Sequence, residues 1–335
     1  MGISIKAIEY YLPEKEVSNE DLQLLHPTWD LKKVGEKSGV LSRHISAENE
    51  TAFDLACKAI EKLFATNVIE KSDVDGIIFC TQSPDFIMPS NAFLIHKYFD
   101  FNHRVWAFDY NLACSGYVYG ISICRGMIET GMAKNILLIN ADTYSKYIHS
   151  GDRSTSVLFG DGAAVSLISE AEVSSVIDIQ LASSGKEYES FYIPSGGIRI
   201  PKSEITKATI TDHSGNENTQ ENIQMNGFAV WKFISVIVPE QIKSLLAKNN
   251  LLIKDIAFFG FHQASKLTLD SLIKALKIEP EQTFSNLQNI GNTVSASIPI
   301  ALKQAEEQGK LKRGDLILLS GFGVGLSWGS ALLKY

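Results

Sequence analysis

Asn111-Leu-Ala-Cys-Ser-Gly116 and Asn289-Ile-Gly-Asn-Thr-Val-Ser295 are short junctions of small and polar residues, each ahead of a helical run that closes on a glycine. Cys114 precedes Gly131 by 17 residues, and Asn292 precedes Gly309 by the same 17. A glycine just past the last turn is a common helix stop, because it takes up the left-handed backbone at no steric cost. A basic residue and an apolar strand follow each glycine: Lys134 before Ile136-Leu-Leu-Ile139, and Arg313 before Leu316-Ile-Leu-Leu319. Cys114 and Asn292 therefore stand at equivalent strand-to-helix junctions of two related halves. The reading divides the chain near residue 172, into 1–172 and 173–335.

The pattern around the junctions has the same grammar in both halves. In the first, helical spacing runs from Phe53 to Phe64, followed by a strand over Asp75–Thr81, a second over Val105–Asp109, a helix over Ser115–Thr130 and a strand over Asn135–Asn140. In the second, a helix is read from Phe233 to Lys248, with Pro239 early in it, then a strand from Asp255 to Phe261 that delivers His262. The helix after Asn289 ends near Gly309, and the strand Leu316–Ser320 follows. Such alternation predicts a layered α/β fold. Between the halves, Ser183–Asn222 is rich in Ser, Thr, Asn, Gly and Pro, and reads as a long lid or interface segment.

Composition narrows the class. The chain has 335 residues, 45% of them hydrophobic and 21% charged, which suits an ordinary globular protein with a large core. A net charge of −7 disfavours a nucleic-acid partner. No apolar run reaches the roughly 20 residues of a membrane-spanning helix, and the N-terminal residues lack the pattern of a secretory signal. Four cysteines without regular spacing predict neither a disulfide framework nor a metal site, and make a reducing, cytoplasmic setting the default.

Three of the cysteines read as core residues: Cys57 on the apolar side of its helix, Cys80 within a strand, Cys124 inside the helix after Cys114. Cys114 lies at a helix start, where unpaired N–H groups and the helix dipole favour a thiolate. His262, at a strand end, and Asn292, opposite Cys114 in the repeat, bring an imidazole and a carboxamide toward the same place, as acyl chemistry requires. Each taken alone has a plainer reading, a locally satisfied histidine and a helix N-cap. The run Gly321-Phe-Gly-Val-Gly-Leu-Ser-Trp-Gly329 lacks the Lys-Ser/Thr ending of a phosphate loop. Its backbone at Val324 is instead a candidate partner for the Cys114 N–H in an oxyanion hole.

Taken together, Asn111–Gly116, Asp152-Arg-Ser-Thr-Ser-Val-Leu-Phe-Gly-Asp-Gly162, His262-Gln-Ala264, Gly291-Asn-Thr293 and Phe322–Leu332 resemble the beta-ketoacyl-acyl-carrier-protein synthase III family of the thiolase superfamily. The resemblance spans nearly the whole chain. It implies a five-layered αβαβα fold of two duplicated halves, a homodimer, and a Cys-His-Asn site at Cys114, His262 and Asn292. It also implies an acyl-Cys114 intermediate followed by decarboxylative condensation with a malonyl thioester, in fatty-acid or specialised lipid or polyketide synthesis. Substrates would arrive on acyl carrier protein or coenzyme A, with no bound cofactor. Arg153 matches the family motif. Where the family carries a carrier-docking arginine this chain has Leu267, so Lys232, Lys266 and Lys274 are the candidate basic patch, with Lys37 at the position of another arginine. The alternative is a relative that passes the acyl group to oxygen or nitrogen, or condenses without decarboxylation.

Overall fold

The computed structural model describes residues 2–335. Its core is two sheets whose strand orders match. In the first, the order is Gly2–Tyr11, Gly162–Ala171, Asn135–Asp142, Gly76–Cys80 and Trp106–Tyr110. In the second it is Val176–Ser183, Ser327–Lys334, Leu316–Gly323 and Phe258–Phe261. The fifth strand of the second sheet has shrunk to one parallel bridge from Phe259 to Thr283. In each sheet the strands after the two glycine stops run parallel to the neighbour on one side, Asn135–Asp142 to Gly76–Cys80 and Leu316–Gly323 to Phe258–Phe261. Each is antiparallel to the neighbour on the other side.

Alternation along the strands decides the layering. Ile78, Ile136 and Leu138 of the first sheet share one buried cluster with Ile317, Leu319 and Leu333 of the second. Between them lie the helices Gly116–Glu129 and Ser297–Glu307, through Val118, Ile121, Ile298 and Leu302. Ile77, Phe79, Leu137 and Ile139 point the other way, onto the helix Ala52–Ala65. Phe259, Leu318 and Leu332 likewise meet Gly227–Lys248 and Lys266–Leu276. Strands apolar on both faces are what helices on both faces demand. Five layers result, helix–sheet–helix–sheet–helix, and the predicted thiolase-like architecture is the observed one.

Three readings are corrected. The helix read from Phe233 begins at Gly227, capped by the Asn226 side chain on Ala229 N, so Pro239 lies well inside it. Its first turns, Gly227-Phe-Ala-Val-Trp-Lys, mix glycine and aromatics and gave a weak periodic signal. The helix expected directly after Asn289 starts only at Ser297, after a 3₁₀ turn over Val294–Ala296. The 183–222 segment is not loop throughout: Phe191–Tyr192 pairs with Gln224–Met225, and Ile210–Thr211 with Glu217–Asn218. Gly131 and Gly309 do take left-handed conformations, at φ +76° and +70°.

Candidate active site

Cys114 stands one residue before Ser115, the N-cap of the helix Gly116–Glu129. Its turn is held by the strand Leu316–Gly323, which approaches so closely that glycine is required. A Cβ on Gly321 would lie 2.6 Å from the Cys114 carbonyl oxygen. One on Gly323 would lie 3.0 Å from Sγ of Cys114. The following loop is tied to the same turn: the Ser327 hydroxyl donates to the Val324 carbonyl (2.7 Å) and also lies 2.7 Å from the Ser115 hydroxyl. The N–H groups of Cys114 and Val324 have no protein acceptor among the described residues. Both remain free to hold an oxyanion.

Asn292 reaches the site through backbone bonds across the two halves. Its N–H donates to Leu158 O (2.9 Å), and its carbonyl accepts from Gly160 N (3.0 Å). Glycine at 160 permits this approach, since a Cβ there would meet the Ile290 carbonyl at 2.3 Å. Oδ1 of Asn292 accepts the Val294 N–H (2.9 Å), which turns its Nδ2 toward His262, 3.4 Å from Nε2. His262 follows the strand Phe258–Phe261. Its Nδ1 lies 2.6 Å from the Ser297 hydroxyl, which also receives a long bond from Gln263 N (3.4 Å). With that N–H entering, the Ser297 proton is directed at Nδ1, and Nε2 carries the ring proton. Nδ2 of Asn292 also donates to Ala264 O (3.4 Å), which leaves its second N–H and the Nε2–H of His262 as neighbouring donors. Ser297 was missed in the sequence, where nothing distinguishes it from a serine in an ordinary helical run.

Cys114, His262 and Asn292 are each at most 3% exposed, yet all line one cavity of about 380 Å³. Most of its remaining wall is apolar, including Leu158, Phe159, Met225, Ile234 and Phe322. Trp231, unremarked in the sequence, is also in the wall, its indole N–H donating to Ser271 (3.1 Å). Burial has two electrostatic effects. It pushes the His262 pKa down to about 3, so the ring is neutral and acts as a hydrogen-bond donor, not a cation. It also pushes the Cys114 thiol well above its ordinary value, with the nearby Asp142 carboxylate adding to the rise. This corrects the expectation of a thiolate. The helix start contributes about 1 kcal/mol, less than burial costs, so the resting group is a thiol.

Asp142 is fully buried and its own pKa rises to about 7 through burial. It accepts from Gln82 N (2.8 Å) and from the Ser295 hydroxyl (2.6 Å), joining the nucleophile half to the Asn292 segment. The other cysteines, Cys57, Cys80 and Cys124, are buried free thiols, and burial pushes all three up. Among the described residues, no group of three or more His, Cys, Asp or Glu side chains is placed to hold a metal. No helix among the described residues is long and apolar enough to cross a membrane.

The candidate carrier-binding residues are dispersed. Lys37 is exposed and lines the cavity mouth, and Arg153 is half-buried beside Ser154, which also lines it. Lys232 and Lys274 are exposed without ion pairs among the described residues. Lys266 is paired with Asp270, and its stem packs against Gly39, so much of its charge is already matched.

Matched halves closing on a cavity shared by a cysteine, a histidine and an asparagine define a condensing enzyme of the thiolase fold. Residues 108–185 match the family model 3-Oxoacyl-[acyl-carrier-protein (ACP)] synthase III, and residues 246–335 match that of its C-terminal part. Beta-ketoacyl-[acyl-carrier-protein] synthase III of Aliarcobacter butzleri is 36% identical over 335 residues, covering 99% of this chain and 97% of that one. The protein of the same name from Clostridium perfringens is 37% identical, covering 97% and 96%. A crystal structure of a 3-oxoacyl-(acyl-carrier-protein) synthase III matches at TM-score 0.97 and 38% identity, covering 100% of both chains. The chain belongs to the beta-ketoacyl-acyl-carrier-protein synthase III family.

Proposed function

We propose that the chain forms a carbon–carbon bond by decarboxylative condensation, with Cys114 as the acyl carrier and His262 and Asn292 as the groups that stabilise the enolate. The observation that carries this reading is the shared cavity, in which Nδ2 of Asn292 sits 3.4 Å from Nε2 of His262 while Cys114 faces the same space. In the first step the primer's carbonyl carbon leaves the carrier sulfur and bonds to Sγ of Cys114. The thiol proton of Cys114 ends on the departing carrier thiol. In the second, the malonyl carbon–carboxylate bond breaks and carbon dioxide leaves. The electron pair moves to the thioester enolate, whose oxygen takes hydrogen bonds from Asn292 and His262. That carbon then attacks the acyl-Cys114 carbonyl. The N–H groups of Cys114 and Val324 hold the oxyanion until it collapses and expels the Cys114 sulfur, which takes one proton from solvent to return to the thiol. Each such donor contributes about 3–4 kcal/mol at the transition state. The reaction balances without a metal or redox cofactor, because carbon dioxide release supplies the nucleophilic electron pair.

In the same reading, residues 1–172 supply the nucleophile and 173–335 the enolate donors. Lys37 and Arg153 at the mouth, with Lys232, Lys274 and the partly neutralised Lys266, attract an acidic carrier protein or coenzyme A. The working form is a homodimer in the cytoplasm, and the exposed apolar stretch Phe86-Ile87-Met88 supports a subunit contact. Intact-protein mass after exposure to acyl-carrier and acyl-coenzyme A thioesters tests the first step, and carbon dioxide release from malonyl-carrier protein tests the second. Acylation without malonyl-dependent release would favour transfer to an oxygen or nitrogen acceptor. No adduct with any primer would end both readings.

A further inference from the structure

The turn that carries Asn292 is strained two residues beyond the catalytic amide. Val294 has φ +53°, in the left-handed region. A residue branched at Cβ is disfavoured there by about fivefold to thirtyfold. Such a conformation persists only where the surroundings over-determine it. The Val294 N–H is the group that fixes Oδ1 of Asn292 (2.9 Å), so relaxation of this one residue would release the amide.

The neighbours of Val294 show what holds the turn. The buried hydroxyl of Thr293 has no partner among the described residues, so that side chain is no anchor. Ser295 makes two bonds, both to one oxygen. Its hydroxyl and its N–H donate to Oδ2 of Asp142, at 2.6 and 3.3 Å. Oδ1 of Asp142 accepts from Gln82 N (2.8 Å), just beyond the strand Gly76–Cys80. The carboxyl group thus clasps the turn of the second half to the sheet of the first. Ser295 also lies against the nucleophile helix, since a Cβ on Gly116 would be 3.6 Å from its own Cβ.

Stability alone does not account for Asp142. It is fully buried and makes no ion pair among the described residues. A well-packed apolar side chain usually serves a core better than a buried acid without a cation. No apolar side chain, however, could accept both Ser295 donors. Neither Asp142 nor Ser295 lines the cavity of Cys114, His262 and Asn292, so any effect on the reaction passes through another residue.

We infer that Asp142 and Ser295 are positioning residues for the condensation step: together they hold Val294 in its left-handed conformation and so keep the Asn292 amide aimed into the site. The inference rests on the enolate-stabilising reading of Asn292 given above. Ser295→Ala should lower malonyl-dependent carbon dioxide release from preloaded enzyme by about tenfold, the scale of one lost hydrogen bond, with acyl loading of Cys114 within about twofold. Asp142→Asn, which puts a donor where an acceptor stood, should shift the same step in the same direction, and thermal melts establish that each variant is folded. The same serine substitution is then made in an Asn292→Ala background. With the amide gone there is nothing left to aim, so Ser295→Ala should cost less than about twofold there. Val294→Gly, which admits the left-handed backbone without strain, should also shrink the cost of Ser295→Ala. A tenfold loss retained in the Asn292→Ala background, a cost that Val294→Gly does not reduce, an equal loss in loading, or no loss from Ser295→Ala overturns the inference and leaves Asn292 in its role. Condensation untouched by Asn292→Ala removes that role and the inference with it.

Discussion

The two glycine-stopped junctions begin from one plan and end in different chemistry. At the first, Cys114 is followed at once by the cap Ser115 and a helix, and its sulfur meets the strand Leu316–Gly323. At the second, Asn292 is followed by a 3₁₀ turn, and the helix waits until Ser297. That extra turn has consequences. It lets Oδ1 of Asn292 take the Val294 N–H, aiming the amide at His262, and it sets Ser297 where its hydroxyl reaches Nδ1 of the same ring. A duplicated junction thus yields a nucleophile in one copy and a pair of neutral donors in the other. The division of labour, loading at one junction and enolate stabilisation at the other, is what substitutions can break.

The largest expected effect is Cys114→Ala, which should leave no acyl adduct by intact mass with any primer. Asn292→Ala and His262→Ala should lower condensation by about 10²–10³, measured as malonyl-dependent carbon dioxide release from preloaded enzyme, while loading stays within about tenfold. Equal losses in both steps would erase the division between the junctions. Gly323→Ala places a methyl group 3.0 Å from Sγ of Cys114. We expect slower loading and a stability cost of about 1–3 kcal/mol, the usual range for overpacking, read by denaturant unfolding. Ser297→Ala removes the group that directs the His262 proton to Nε2. Condensation should fall by about tenfold, the scale of one lost charge-orienting hydrogen bond, with loading unchanged and the pH profile of condensation altered. A merely structural serine would slow both steps alike.

A separate effect is on stability. The His262 pKa is pushed down to about 3 in the folded chain, from an ordinary value near 6.5. As pH falls below about 6.5 the unfolded chain takes up a proton that the folded chain refuses. The stabilisation present above that pH is then lost progressively toward pH 3. Between pH 6.5 and 4.5 this contributes about 2–3 kcal/mol. His262→Asn should flatten that part of the acid limb in denaturant titrations. Asp142 acts with the opposite sign: its raised value favours the folded chain at low pH, and that share is lost as pH rises toward about 7.

Much of this was legible in the sequence, for identifiable reasons. The layers were readable because Ile77 and Phe79 point to one side and Ile78 to the other, leaving a strand apolar on both faces. Gly131 and Gly309 were readable because a helix must stop, and glycine stops it cheaply. Cys114 and Asn292 were found together because the register of the repeat superposes them, and His262 because it ends the strand that precedes Asn292. What escaped depended on distance in three dimensions. Burial of the Cys114 sulfur, which reverses the simple helix-dipole expectation, follows from strand Leu316–Gly323 arriving from 200 residues away. The Ser297 contact spans 35 residues. The pairing of Lys266 with Asp270 lay at helical spacing and was open to reading, whereas the cavity walled by Gln82, Asn111, Tyr144, Tyr192, Ile223 and Val324 draws on six separate parts of the chain.

The account stands or falls on the passage of one acyl group through Cys114. Enzyme preloaded with a primer, freed of excess thioester and digested, should carry the acyl mass on the peptide containing Cys114. A chase with malonyl-carrier protein should discharge that peptide with one carbon dioxide released per acyl group lost. An adduct on another residue, or carbon dioxide released while the acyl group stays on Cys114, would contradict it.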